Sequence, residues 1–295
     1  MVRNYTVNVE WGKIQPSEGV FDTSSIDAAI AAADGLDAHV RLRVFAGRFS
    51  PDWAKAASGG GVSWQEPRDS ATVPPYTMPR FWTSAYHEKY RDFLSKLSAK
   101  YDANPRVGEV TLSECMTTWA EPFIRQSGVV SNVNNALSAG YTYAGDKSCI
   151  RNNINLFDTR TGSTTAGRLF PTTRLTLAVN PFQGIKPPSG TNTLNDTLET
   201  AKYCRTVLGP RCVLGNNSVR STSLGDAYNR IYSFEKAEGS PLYYQTAVGS
   251  RIGDYKKAIE FAIGQGAYSV EMSKADYAKY DKSVLADLLT KFKTD

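Results

Sequence analysis

The spacing of apolar residues switches between two periods along the chain. Positions 4–11 (NYTVNVEW) alternate with a period of two and predict a strand, and the PSEG that follows predicts a turn. DTSSIDAAIAAAD (22–34) predicts a helix with Asp22 or Thr23 as its cap and Ala-rich turns behind it. AHVRLRVFAG (38–47) alternates again and ends at Gly47, predicting a second strand. A Gly- and Pro-rich stretch at 56–80 predicts a long loop with Trp53, Trp64 and Trp82 around it, of a length that usually forms a binding loop or lid. SAYHEKYRDFLSKLSAKY (84–101) is a strongly amphipathic helix.

The alternation continues to the C-terminus. Strands are expected at 107–114, 174–182, 211–219, 241–248 and 267–272, and helices at 193–208, 224–238, 254–266 and 282–293; 129–157 carries only a weak helical signal. Seven strands, nearly each followed by a helix, specify a parallel sheet in an α/β fold. Two architectures satisfy that order: an eightfold (β/α)8 TIM-like barrel and an open doubly wound sheet. No Gly-rich phosphate loop follows the first strand, which favours the barrel over a nucleotide-binding sheet. The count is one strand short, so the first strand is missing or atypical. The whole chain, 1–295, is expected to form one barrel domain.

Composition narrows the function. Of 295 residues 41% are hydrophobic and 21% charged, which fits a globular chain and excludes disorder. No apolar run approaches the roughly 18–20 residues of a membrane span. The net charge, 34 Lys+Arg against 29 Asp+Glu, is +5 and scattered, without the basic clusters a nucleic-acid partner requires. Two histidines and no C-x-x-C leave no zinc signature and no metal site. Four cysteines permit two disulfides: Cys204 and Cys212 flank a short LGP turn, and Cys115 and Cys149 would then pair by elimination; four inert thiols are the alternative. The opening MVRNYTVNVEW has no basic stretch followed by an apolar one, so no signal peptide is expected.

In a (β/α) barrel the chemistry lies just past the C-terminal ends of the strands. There the chain offers Glu10 and Trp11; Arg43, Phe45 and Arg48; Glu114, Trp119 and Glu121; Asn180; Asn216 and Asn217; Gln245; and Glu271. Carboxylates and amides bond hydroxyl groups and aromatic faces stack on sugar rings, so this lining suits a polyhydroxylated ligand.

VEWGKIQPSEGVFDTSSID (9–27) and LRVFAGRFSPDW (42–53) resemble the second and third βα units of the clan A glycoside hydrolases, with Trp11, Ile14, Pro16, Gly19, Phe21 and Asp22 matching. TTWAEPF (117–123) is similar to the end of that clan's fourth strand, where the acid/base Glu precedes Pro. The resemblance covers about the first half of the chain and implies a TIM-barrel glycosidase lacking the family's first strand. It also implies Glu121 as acid/base and no cofactor; the second carboxylate is expected to be Glu271, on the eighth strand that faces the fourth across a barrel, or Glu114. Two departures stand out. Ala120 replaces the usual Asn before the acid/base, and Gln245, which is neutral, occupies the nucleophile's strand.

Trp11, Arg43, Trp53, Trp119, Asn180, Asn217 and Gln245 are the expected substrate-binding residues. Each candidate also has a structural alternative. Glu114 would pair with Arg43 inside the barrel, Glu271 would join an ion pair, the amides would fix loops, and the tryptophans would only pack. Arg43 is expected to point inward and Arg41 outward, with a carboxylate partner for the buried guanidinium. His87 is expected to be exposed and inert. Two rival functions remain: a carbohydrate-binding barrel without catalysis, favoured by Gln245, and an aldolase or isomerase, disfavoured because Lys13 and Lys274 lack polar partners. Paired cysteines and polysaccharide chemistry favour an exported protein.

Overall fold

A computed structural model describes residues 4–66, 74–164, 166–182, 184–186, 189–190 and 193–292. Seven strands form one parallel sheet in chain order: β1 (Asn4–Glu10), β2 (His39–Phe45), β3 (Val107–Thr111), β4 (Arg174–Ala178), β5 (Cys212–Val219), β6 (Leu242–Thr246) and β7 (Ser269–Glu271). Strand order equals sequence order, so each chain segment returns to the same side of the growing sheet and the sheet curls. β1 and β7 are its two ends. Glu271 nevertheless reaches Arg41 and Arg43 of β2 and the hydroxyl of Thr6 on β1, so side chains span the curl where backbone pairing does not.

Helices follow the strands as the periodicity requires: α1 (Ser24–Asp34), α2 (Ser84–Tyr101), α3 (Tyr143–Asn155), α4 (Leu194–Leu208), α5 (Asp226–Glu238), α6 (Tyr255–Gln265) and α7 (Lys282–Leu289). In α2, Thr83 caps the first turn by accepting the N–H of Tyr86, and Tyr86, Tyr90, Phe93, Leu94, Leu97 and Tyr101 form its buried stripe. The weak signal at 129–157 resolves into Val130–Ser138 and α3, separated by a turn at Gly140, whose φ is +82°. The expected loop at 56–80 contains an antiparallel hairpin, Val62–Trp64 with Tyr76–Met78; its residues 67–73 lie outside the described residues.

The two faces of the sheet differ. Leu42, Val44, Val110, Leu175, Leu177, Leu214 and Leu242 point toward the helices and join the main core. The inner face is polar: Arg41 donates to Glu109 (2.5 Å), Thr111 meets Thr176 (2.8 Å), and the Arg41 guanidinium lies 4.0 Å over the Tyr243 ring. Arg41 and Arg43 both point inward, against the expectation that they diverge; residues two apart on a strand share a face.

Both disulfides are present. Cys204–Cys212 ties α4 to the start of β5, and Cys115–Cys149 ties the loop after β3 to α3. Among the described residues no helix is long and apolar enough to cross a membrane.

Candidate active site

The C-terminal mouth of the curled sheet gathers most of the expected site residues. Arg43 on β2 donates to both oxygens of Glu271 on β7, at 3.1 and 2.7 Å, and to Oδ1 of Asn8 on β1 at 3.2 Å. This fork-on-carboxylate geometry orients both partners. Burial would raise the Glu271 carboxyl, but Arg43 and then Arg41 outweigh it and hold the group below the usual glutamate range. Glu271 is therefore ionised.

Glu121 stands in the loop after β3 and is buried. Burial pushes its carboxyl above the usual range, against the opposing influence of its own backbone N–H, Arg43, Asn217 and Asn180. The fork-paired Arg43 thus acts electrically on both carboxylates. Asn180 accepts from the Tyr228 hydroxyl (2.9 Å) and from Asn216 (3.3 Å), and its side chain also acts on Glu121. Asn217 accepts from the Tyr243 hydroxyl at 3.0 Å. Gln245 lies beside Glu271 in the β6–β7 register and is half-buried. The hairpin of the 56–80 segment is pinned to the loop carrying Glu121: Trp64 donates to Gln126 (2.8 Å) and the Tyr76 hydroxyl bonds that of Thr118.

Other candidates lie elsewhere. Glu114 is fully buried behind the sheet, where Oε1 is 2.8 Å from Nδ1 of His87. The expected Glu114–Arg43 pair does not form, because β3 ends at Thr111 and the chain turns outward before Glu114. His87, expected to be exposed, is instead half-buried: burial lowers its pKa, but Glu114 outweighs that and raises it. Trp11 cannot meet a ligand, being fully buried against Phe93 (5.0 Å), Tyr86, Tyr90 and Trp53. Trp53 is half-buried, donates to the carbonyl of Gln15 (3.2 Å) and borders a surface groove with Glu18, Asp52 and Pro16. Trp119, two residues before Glu121, keeps 38% of its surface exposed. Lys13 pairs with Glu10 at 3.1 Å on the surface.

The sequence reading passed over Asn8 and Tyr243 and turned Arg41 outward. All three follow from strand alternation, because each stands two residues before a residue already under consideration: Glu10, Arg43 and Gln245. A cavity of about 630 Å³ opens at the other mouth, among His39, Arg41, Asp102, Glu109, Arg174 and Tyr268. It lies at the N-terminal strand ends, opposite the end where barrel chemistry resides.

No family model matches the chain, and no curated protein matches it. Solved structures do resemble it. The catalytic domain of β-amylase from Paenibacillus polymyxa aligns with a TM-score of 0.60 at 12% identity, over 99% of this chain and 92% of that one. A β-galactosidase from Halorubrum lacusprofundi gives 0.54 at 11% identity, over 90% of this chain and 48% of that one. Endo-glycoceramidase II from Rhodococcus sp. gives 0.50 at 12%, over 93% and 65%. These neighbours are glycoside hydrolases, and the TIM-barrel-like α/β fold is one this chain shares with them. At these identities the likeness is one of fold.

Proposed function

We propose that the chain is a glycoside hydrolase acting on an oligo- or polysaccharide, with Glu121 as general acid and Glu271 as the ionised second carboxylate. The observation that carries this reading is the opposite environment of the two groups. Burial keeps Glu121 protonated toward higher pH against the opposing pull of Arg43 and the Asn217 and Asn180 amides, while two arginines keep Glu271 charged. Glycoside cleavage needs one carboxylic acid at the leaving oxygen and one carboxylate, and environments that push two carboxyls apart assign those roles. Glu121 would protonate the glycosidic oxygen, and Glu271 would stabilise the positive charge on the sugar or take a proton from the attacking water. The amides of Asn180, Asn217 and Gln245 would bond sugar hydroxyls, with Trp119 offering an apolar face. These steps need no cofactor. Two disulfides fit an exported protein meeting its polysaccharide outside the cell.

A second reading is a barrel that binds carbohydrate without cleaving it. Gln245 on the expected nucleophile strand favours it, as does the Arg43 fork holding both oxygens of Glu271. One experiment separates the two. Wild type, Glu121→Gln and Glu271→Gln are assayed on a panel of aryl glycosides and polysaccharides, with binding measured by calorimetry. Turnover that falls about 10²–10⁴-fold in both variants supports the hydrolase. Binding without turnover in the wild type supports the second reading, and neither binding nor turnover sinks both.

A further inference from the structure

The curled sheet has a second opening, at the N-terminal ends of its strands, which the proposed chemistry does not use. Strand register sets Arg41 of β2, Glu109 of β3 and Arg174 of β4 side by side there, and Tyr268 stands just before β7. With Asp102, which follows α2, they line the cavity of about 630 Å³, a volume within the roughly 300–1,000 Å³ of small-molecule pockets. Arg41 and Glu109 are buried and form its floor, while Asn4, His39 and Ala103 are exposed at its rim.

The charges of this lining balance within the protein. Arg41 donates from Nε to Glu109 (2.5 Å), from Nη1 to Glu271 (3.4 Å) and from Nη2 to Ser269 (3.3 Å). Asp102 accepts from the backbone N–H groups and the hydroxyls of Thr172 and Thr173, the shortest of these bonds being 2.9 Å. Two guanidiniums, Arg41 and Arg174, thus stand with two carboxylates, Glu109 and Asp102. An ion of either sign would give up its water here without meeting an unmatched counter-charge, which is costly. A neutral hydroxyl both donates and accepts, so it bonds either member of an ion pair without upsetting the balance. Tyr268 adds a half-buried ring with the Arg174 guanidinium 5.8 Å from its centroid. Its hydroxyl is buried with no hydrogen-bond partner among the described residues, an unmade interaction in the cavity wall. Polar groups of both kinds beside an aromatic ring suit a sugar, which carries hydroxyls at its edge and an apolar face. We propose that the N-terminal cavity is a binding site for a free neutral sugar, a mono- or disaccharide, separate from the mouth that holds Glu121 and Glu271. The site goes beyond the hydrolase reading and is tested by binding alone.

The test is calorimetric titration with glucose, galactose, xylose, cellobiose, maltose and lactose, and with glucuronate and glucosamine as charged counterparts. Glu121→Gln is titrated beside the wild type, so that turnover consumes no disaccharide. At least one neutral sugar is expected to bind both proteins, and more tightly than either charged counterpart. Ala103→Trp fills the cavity from its exposed rim and Tyr268→Ala removes the ring; each should weaken that binding at least about tenfold. Trp119→Ala, which alters the other mouth, should leave it unchanged. Should Tyr268→Ala fail to fold, Ala103→Trp decides, since that side chain packs on no core residue it would have to displace. A wild type that turns over no glycoside yet shows binding lost in Ala103→Trp would sink the hydrolase reading and support this one. The proposal is overturned by any one of three results: no neutral sugar binds, the charged counterparts bind equally well, or the binding survives Ala103→Trp.

Discussion

Inside the curled sheet, Glu109 is buried against Arg41 and Glu271 is half-buried against Arg43; behind it, Glu114 faces His87, and Glu235 on α5 lies beside the Tyr244 hydroxyl with Arg205 acting only from a distance. Glu114, Glu235 and Glu271 are nevertheless shifted in different directions. Burial raises the carboxyls of Glu114 and Glu235, the latter to about 8, whereas Glu271 is held low by its guanidiniums. Glu121, inside, shares the raised state of the outer pair. A raised carboxyl therefore does not by itself mark a catalytic acid, since structural burial produces the same shift. What separates Glu121 from Glu114 and Glu235 is surroundings: Arg43, which also pairs with Glu271, acts on it together with the amides of Asn217 and Asn180.

The largest expected effect tests that distinction directly. Glu121→Gln should lower turnover about 10²–10⁴-fold, while Glu114→Gln and Glu235→Gln leave it within a few fold. A comparable loss in Glu114→Gln would erase the contrast between the two faces. The wild-type pH–rate profile should be bell-shaped, rising as Glu271 ionises and falling as Glu121 loses its proton, and Glu121→Gln should remove the alkaline limb from whatever activity remains.

Stability comes next. Glu271→Gln leaves the buried Arg43 without a carboxylate and should cost about 3–5 kcal/mol in denaturant unfolding, whereas exchanging Glu235 for Gln removes no ion pair. Stability should also respond to pH with opposite signs at these two sites. The folded chain keeps a proton on Glu235 that the unfolded chain has released, so this group makes stability fall from the ordinary glutamate pKa up to about 8. Glu235→Gln should flatten that slope. Glu271, held low, adds stability above the ordinary glutamate pKa that is lost as pH falls through its folded value, and Glu271→Gln should remove that acid-side loss.

The tryptophans give the last contrast. Trp11→Ala should cost about 3–5 kcal/mol by opening a cavity against Phe93. Trp119→Ala should change stability by no more than about 0.5 kcal/mol and instead raise KM for polysaccharide. Equal stability losses would mean that Trp119 is a packing residue after all.

The order of elements was legible because hydrophobic period is local: strand and helix patterns alternate from residue 4 onward, and α2 spans the residues its amphipathic stripe marks. Alternation also held the fate of Trp11, which continues the series Val7, Val9 on the helix-facing side, and of Arg41, which shares the inward face of Arg43. Where regular structure stops, parity stops with it. β3 ends at Thr111, three residues before Glu114, and Glu121 stands in a loop with no period. Which of these two glutamates enters the mouth was decided by where α2 brings His87 and where β4 and β5 bring Asn180 and Asn217. Arg43 had the same dependence: a strand pattern can say that an arginine faces inward, but its partner came from Glu271, on the last strand, 228 residues away in sequence. Sequence alone determines which face a residue takes within a repeating element; contacts between elements, and the charge states they impose, exist only once the sheet has curled.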